Sequence, residues 1–168
     1  TTLISGPTNL KKPENVNLIK VESANQMYEE TKKALPVDIA ICSAAVTDFK
    51  PEKYEKEKIK KDSLNLNLNL KKNIDILEFL SKRNSYRPKL VIGFAAETNE
   101  ILKFAKEKKI KKNCDWIIAN DVSKPGIGFN SDYNEVTIIH NNKIEKIEKN
   151  LKSYIANKIV KKIIDNFI

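Results

Sequence analysis

Residues 89–97, KLVIGFAAE, form the stretch that decides the fold prediction. Apolar residues run through it almost without interruption, which is typical of a strand covered on both faces. The same pattern recurs in VDIAICSAAV at 37–46 and in CDWIIAND at 114–121. Because strands of this kind belong to parallel sheets, the three runs predict a buried, mostly parallel sheet.

Helical segments separate these strands. DILEFLSKRN at 75–84 precedes the run at 89–97, and NEILKFAKEKKIKK at 99–112 follows it. Nearer the start, TTLIS and NLIKVE predict two short strands, and Ser23 is a plausible N-cap for a helix that Pro36 ends. This alternation predicts an α/β protein with a doubly wound sheet.

The end of the chain has a different pattern. EVTIIH and KIEKIEK, on either side of Asn141-Asn142, predict a β-hairpin, and the last 18 residues predict an amphipathic helix with Ile155, Ile159, Ile163 and Phe167 on one face. LNLNLNL at 64–70 alternates strictly, so we expect a half-buried strand near a sheet edge. No linker divides the chain, so residues 1–168 are predicted to form a single domain.

Amino-acid composition restricts the possible functions less than the pattern of apolar residues restricts the fold. The net charge of +9 favours a polyanionic partner, either nucleic acid or a small substrate, but lysine is also abundant in plainly exposed stretches. We find neither a signal-peptide pattern nor the roughly 20 apolar residues of a membrane span, so a cytoplasmic protein without membrane contacts is expected. Cys42 and Cys114 lie in apolar runs and are expected to pack in the core. With His140 as the one histidine, the composition predicts no zinc site.

Ligands of open α/β sheets bind beyond the carboxyl ends of the strands. Asp48 follows a buried strand, where its carboxylate could accept from a ribose hydroxyl or help hold Mg²⁺; a turn or cap aspartate explains it equally well. Lys58, Lys60 and Lys61 lie on a predicted flap that could close over phosphates, although a solvated charged run is the commoner explanation.

Three further segments have both a binding and a structural interpretation. Asn73 is placed to cap a helix with Asp75 in its first turn, where free backbone N–H groups could bind phosphate. Phe94 follows Gly93, taken here as the end of a strand, and could stack on a base or simply belong to the core. Lys108 and Lys112 have i, i+4 spacing and could grip a triphosphate together, although surface lysines at that spacing are common. Neither a G-x-x-x-x-G-K-[ST] loop nor G-x-G-x-x-G is present.

Taken together and in order, seven segments resemble phosphopantothenoylcysteine synthetase, usually the carboxy-terminal half of a bifunctional flavoprotein decarboxylase/ligase in bacteria. The resemblance covers nearly the whole chain. The segments are SGP (5–7), AAVTDF (44–49), EKIKK (57–61), KNIDIL (72–77), GFAAET (93–98), KKIKKNCDWIIANDVS (108–123) and GFNSDYN (128–134).

This resemblance implies a Rossmann-like fold with a small hairpin and flap extension, a homodimer, and ligation of 4'-phosphopantothenate to L-cysteine with CTP and Mg²⁺. FMN is expected only if a decarboxylase domain precedes this segment. Lys58 is the implied catalytic residue, and the metal ligands stay unknown. The implied CTP contacts are Ala45, Asp48, Lys58, Ile74, Asp75, Ile76, Leu77, Phe94, Lys108 and Lys112.

The chain departs from the family at its start. Family members carry a further strand, a glycine-containing turn and an Asn-x-Ser-Ser-Gly-type segment before the position of Thr1, and the family assigns that asparagine to the second half-reaction. We therefore expect a chain that binds CTP and is incomplete as a ligase.

Two other functions remain as alternatives. An NAD(P)-binding Rossmann oxidoreductase module is disfavoured by the missing phosphate fingerprint, and stronger stabilisation by NAD than by CTP would support it. A basic nucleic-acid-binding domain is disfavoured because the basic residues lack aromatic interleaving and a known RNA-binding motif; steep salt-dependent binding of DNA or RNA would support it.

Overall fold

The computed structural model describes residues 1–53, 57, 67–82, 85–124, 126–128, 131–141 and 143–167. They fold as two compact units. The first consists of Thr1–Leu35 and Ala44–Ile76, and the second of Pro36–Ser43 and Leu77–Ile168. Among the described residues, no helix combines the length and the apolar character that crossing a bilayer requires.

Two small sheets and one helix make up the first unit. Strands β1 (Thr2–Ser5) and β2 (Asn17–Lys20) pair in parallel, and β4 (Phe49–Pro51) pairs antiparallel with β5 (Leu70–Lys72). Helix α1 (Ala24–Ala34) follows β2 and begins at the predicted N-cap, where the Ser23 hydroxyl accepts from the Gln26 backbone N–H in a capping box. The helix ends two residues before Pro36, as predicted.

A five-stranded mixed sheet forms the second unit, in the order β3-β6-β7-β8-β9. β3 (Ile39–Cys42), β6 (Leu90–Glu97) and β7 (Trp116–Asp121) are parallel, and β8 (Tyr133–His140) and β9 (Lys143–Leu151) continue the sheet as the predicted antiparallel hairpin. Asn141, in the turn, has a positive φ of 42°, a conformation that asparagine tolerates well.

Helices cover both faces of this sheet. α4 (Lys152–Phe167) lies on one face, because its buried isoleucines belong to the same cluster as alternate residues of β6, β7 and β8. α2 (Ile76–Lys82) lies on the other face, where Leu77 contacts Gly93, and α3 (Ile101–Lys112) joins α2 there through a Lys112–Glu78 ion pair. The α/β prediction is therefore confirmed. The shared cluster comprises Leu90, Ile92, Trp116, Ile118, Val136, Ile138, Ile155, Ile159 and Ile163.

Three strand predictions differ from the structure. β3 spans four residues at the sheet edge and leaves Ile41 about half exposed, at 48%, so it is not covered on both faces as expected. β6 does not end at Gly93 but continues to Glu97, because residues 94–97 pair with β7. Within 64–70, only Leu70 belongs to a strand among the described residues, and it is exposed rather than half-buried.

The closing helix also differs at one position. Ile155, Ile159 and Ile163 are buried as predicted, whereas Phe167 is exposed at 38%. Phe167 stands in the last turn, beyond the end of the apolar cluster that covers the three isoleucines. Cys42 and Cys114 are both thiols outside any disulfide, and burial raises the pKa of the Cys114 thiol, which keeps it in the protonated, unreactive form.

Candidate functional site

In the first unit, the loop that precedes β4 carries two of the predicted contact residues. Ala45 and Asp48 are both exposed there. Ala45 lines a shallow groove of about 190 Å³, together with Gly6 after β1 and Ser23 at the start of α1. Polar groups at the end of a strand and at a helix start are therefore accessible beside Ala45, as nucleotide sites require.

Asn73 fastens a second loop to the first. Its backbone N–H donates to the Asp48 carbonyl at 2.8 Å, and its side-chain Nδ2 donates to the Thr47 carbonyl at 2.8 Å. The prediction that Asn73 caps a helix is wrong, because α2 begins at Ile76 and the Asn73 amide is directed to Thr47 instead. Residues 47–48 and 73 are thus held together within one unit.

The segment after Asn73 contains the next predicted contacts. Ile74 is exposed at 48%, Asp75 is half-buried, and Ile76 is the first residue of α2. An exposed backbone just before a helix offers N–H groups that have no partner within the helix. The structure therefore brings Asp48 and the start of the 74–76 segment to one place in the first unit through their common neighbour, Asn73.

Leu77 belongs to the second unit, where it is buried against the sheet. A Cβ atom placed on Gly93 would stand 2.5 Å from Leu77 Cδ2 and 2.9 Å from Ile117 Cδ1. Only a residue without a side chain permits this close packing of α2 on β6. Gly93 therefore sets the position of the first turn of α2.

Lys112 reaches that same turn of α2. Its Nζ lies 3.1 Å from Glu78 Oε2, and its side chain is only 15% exposed. Hydrogen bonds from Lys82 and Lys112 lower the pKa of Glu78 from its ordinary value of 4.5 to about 2. Glu78 is thus ionised at neutral pH and neutralises part of the positive charge that the two lysines bring to this turn.

Lys108 lies one turn before Lys112 on α3 and is half-buried, as the i, i+4 spacing predicts for neighbours on one helix face. Among the described residues it has no ion pair or hydrogen bond through its ammonium group, in contrast to Lys112. No sequence pattern indicates that Glu78 binds Lys112, since the two residues are 34 positions apart.

Phe94 lies away from the two lysines. It is half-buried and packs against the cluster on the α4 face, whereas α3 covers the opposite face. The structural interpretation of Phe94, a core side chain, thus describes its contacts in this chain. Lys58, Lys60 and Lys61, the predicted flap lysines, fall outside the described residues.

A second groove, of about 280 Å³, lies between the start of α3 and the β8–β9 hairpin. Its floor includes Ala119 and Thr137, and at its rim Glu135 bridges Lys124 at 2.6 Å and Lys146 at 3.3 Å. The Glu135 carboxylate thus neutralises charge on both lysine side chains. This cluster is not predictable from the sequence, because the period-two pattern of the hairpin does not show which rim residues face each other.

No group of three or more His, Cys, Asp or Glu side chains within the described part of the chain could hold a metal ion. Mg²⁺ usually needs only one or two protein carboxylates when substrate phosphates supply the other ligands. Asp48, exposed in the loop before β4, fits that role for a metal that arrives with a nucleotide.

The fold defines a Rossmann-like α/β domain, and comparison with known proteins assigns it to a family. Residues 1–167 match the family described as DNA/pantothenate metabolism flavoprotein C-terminal domain. The chain belongs to this family.

Relatives and solved structures agree with this assignment. The chain is 40% identical over 165 residues to the coenzyme A biosynthesis bifunctional protein CoaBC of Vibrio vulnificus, covering 96% of this chain and 41% of that protein. It is 42% identical over 163 residues to the CoaBC protein of Borreliella burgdorferi, covering 95% and 40%. The chain thus spans less than half the length of these relatives.

The crystal structure of the C-terminal domain of a CoaBC protein is also similar, with a TM-score of 0.76 and 31% identity over 96% of this chain and 71% of that one. A flavoprotein of the same family from Streptococcus pneumoniae has a TM-score of 0.77 at 21% identity, over 96% and 79% of the two chains. The second similarity supports the fold alone.

Proposed function

We propose that this chain is the CTP-binding part of a phosphopantothenate–cysteine ligase that acts in coenzyme A biosynthesis. The observation that carries the proposal is the 40% identity, over 96% of the chain, to a bifunctional protein of that pathway. A fold relative at 19% identity, a Cab2 mutant, was crystallised with phosphopantothenate-cysteine, the product that such a ligase would form.

The proposed reaction has two steps. The carboxylate of 4'-phosphopantothenate attacks the α-phosphorus of CTP, so that a C–O–P bond forms, the bond to the β-phosphate breaks, and pyrophosphate leaves. The amine of L-cysteine then attacks the acyl carbon of the cytidylate, CMP leaves with the bonding electron pair, and the amine loses a proton. Cations near the phosphates would stabilise the charge that develops in the first step.

The proposed CTP contacts are those that the resemblance to the family implies. In the first unit these are Ala45, Asp48 and the segment Ile74–Ile76, which lies beside the Asn73 hydrogen bonds to the loop of Asp48. In the second they are Leu77, Phe94, Lys108 and Lys112. Lys58, outside the described residues, is the proposed catalytic lysine.

The charge pattern on α3 supports a phosphate-binding role. Lys108 has no carboxylate partner among the described residues, so its ammonium is available to a phosphate oxygen. Lys112 already binds Glu78 and must exchange or share that partner when a triphosphate binds. Glu78 also binds Lys82 through its other carboxylate oxygen, so it keeps a cation partner when Lys112 turns to a phosphate.

Isothermal titration calorimetry with Mg-CTP tests the nucleotide site. Simultaneous Lys108→Ala and Lys112→Ala substitution is expected to weaken binding by about tenfold or more, because two charge-assisted contacts are lost. The matched control is Lys106→Ala with Lys111→Ala, which removes the same charge from exposed positions of the same helix and should change binding less than twofold. Equal weakening by both pairs would refute the assignment, and stronger binding of NAD than of CTP would favour an oxidoreductase.

We further propose a homodimer. Apolar side chains lie exposed on and beside the β4–β5 sheet, with Phe49 at 51%, Leu70 at 55% and Leu68 at 63% exposure. A second copy of the chain would remove this patch from water. FMN would belong to a preceding decarboxylase domain, and we assign it no residues of this chain.

A further inference from the structure

The β4–β5 ladder extends by one hydrogen bond beyond its strands. Phe49 is paired with Lys72 at the end of the ladder, so the next facing positions are Asp48 and Asn73. The Asn73 backbone N–H donates to the Asp48 carbonyl at 2.8 Å, which continues the antiparallel pattern at that pair. The main chain of Asp48 is therefore fixed by the segment after β5.

The Asn73 side chain adds a second connection to the same loop. Nδ2 donates to the Thr47 carbonyl at 2.8 Å and lies 3.4 Å from Thr47 Oγ1. A flipped amide would place Oδ1 against the carbonyl oxygen, so this contact determines which end of the amide is the donor. Consecutive residues of the loop, Thr47 and Asp48, are thus bound by one asparagine.

Asn73 Oδ1 is buried and has no hydrogen-bond partner among the described residues. A buried acceptor left without a donor is unfavourable, so the side chain is not in this position for the sake of Oδ1. What the side-chain conformation gains is the hydrogen bond from Nδ2 to the Thr47 carbonyl, whereas the bond to Asp48 comes from the backbone N–H. The sequence predicts Asn73 as a helix cap. In the structure, its side chain connects two loops instead.

We infer that Asn73 is a positioning residue for the nucleotide: it holds the Thr47–Asp48 main chain so that the exposed Asp48 carboxylate meets the ligand. This inference rests on the proposed function, in which Asp48 is a CTP contact. It predicts that Asn73 contributes to nucleotide affinity through Asp48 and not independently of it.

A double-mutant cycle measured by calorimetry with Mg-CTP tests this coupling. Asn73→Ala alone is expected to weaken binding by about three- to tenfold, the range for one lost hydrogen bond. In an Asp48→Ala background, the same substitution should change affinity less than twofold. Asn69→Ala is the matched control, because Asn69 immediately precedes β5 and its side chain is exposed; it should leave Mg-CTP affinity unchanged.

The outcomes separate the inference from the function on which it rests. If Mg-CTP binds the wild type and Asn73→Ala weakens binding equally in both backgrounds, or in neither, the positioning role is refuted while the proposed function stands. If Mg-CTP does not bind the wild type, the proposed function fails and the inference fails with it. A lowered thermal midpoint in Asn73→Ala with full coupling to Asp48 would still support positioning, because a purely structural loss would not depend on the Asp48 carboxylate.

Discussion

Gly93 shows how a single missing side chain places a helix. A methyl group at this position would overlap Leu77 and Ile117, both of which are packed in the second unit. The overlapping atoms are terminal methyl groups of buried side chains, so both side chains would have to move within the core to make room. Leu77 is also a proposed nucleotide contact, so the packing at Gly93 affects the site as well as the stability of the sheet.

We therefore expect Gly93→Ala to lower the free energy of unfolding by about 1–3 kcal/mol, the usual cost of overpacking a core. Urea denaturation followed by circular dichroism measures this change. Gly6→Ala is the control, because no heavy atom lies within 4 Å of the position its Cβ would occupy. Equal stability of the Gly93 variant and the wild type would show that α2 is not held in the described position.

Residue roles were the least predictable part of the sequence. Sequence reasoning put Asn73 on a helix cap and Phe94 beyond a strand end, and it missed the partner of Lys112. The contacts of these residues depend on residues far away in sequence. Asn73 binds Thr47, 26 positions earlier, and Lys112 binds Glu78, 34 positions earlier. Local rules for caps and helix spacing contain no information about such partners.

At the scale of elements, α2 and α3 are joined by Glu78, which binds Lys82 on its own helix and Lys112 on the next. The folded state lowers the pKa of Glu78 from its ordinary value of 4.5 to about 2. The ionised carboxylate therefore stabilises the fold fully at pH values above 4.5. That stabilisation is lost as the pH falls from about 4.5 to about 2.

Glu78→Gln is accordingly expected to reduce stability at pH 7 by about 0.5–1 kcal/mol, a small value because the carboxylate is partly exposed and screened. The difference from wild type should shrink as the pH falls from 4.5 to 2, which chemical denaturation at a series of pH values would record. Glu107→Gln, on the exposed side of α3, should show no such pH dependence. A difference that grows on acidification would contradict the ion-pair assignment.

Helices and strands were predicted correctly where the hydrophobic periodicity was strong. The predictions were poorer where that periodicity was ambiguous. The runs at 89–97 and 114–121 became buried parallel strands, and Ile155, Ile159 and Ile163 form the buried face of α4. The run at 37–46 is equally apolar but forms a four-residue edge strand. An apolar run does not show how many neighbours a strand will have, because pairing is a property of the assembled sheet.

At the scale of the whole molecule, exposed apolar surface predicts self-association. Phe49→Ser with Leu70→Ser should shift the sedimentation coefficient toward that of a monomer, because the proposed dimer would bury both side chains. Ile110→Ser is the control, since Ile110 is 80% exposed on α3 in the other unit. A monomeric wild type, or dissociation by the Ile110 substitution alone, would contradict this assignment of the dimer surface.

The order of segments along the chain was more informative about function than any single residue was. Each candidate position had a structural explanation that was as good as the functional one, and Phe94 indeed packs on the core. Seven segments in a fixed order have no comparable structural explanation, and the family match over residues 1–167 agrees with them. The charge of +9, in contrast, did not discriminate between a nucleotide and a nucleic acid.

The central claim is CTP-dependent activation of phosphopantothenate, and pyrophosphate release tests it most directly. With Mg-CTP, we predict release that requires 4'-phosphopantothenate, proceeds without cysteine, and is lost in Lys58→Ala. Pyrophosphate release that ignores phosphopantothenate, or its complete absence with Mg-CTP and phosphopantothenate both present, would contradict the claim.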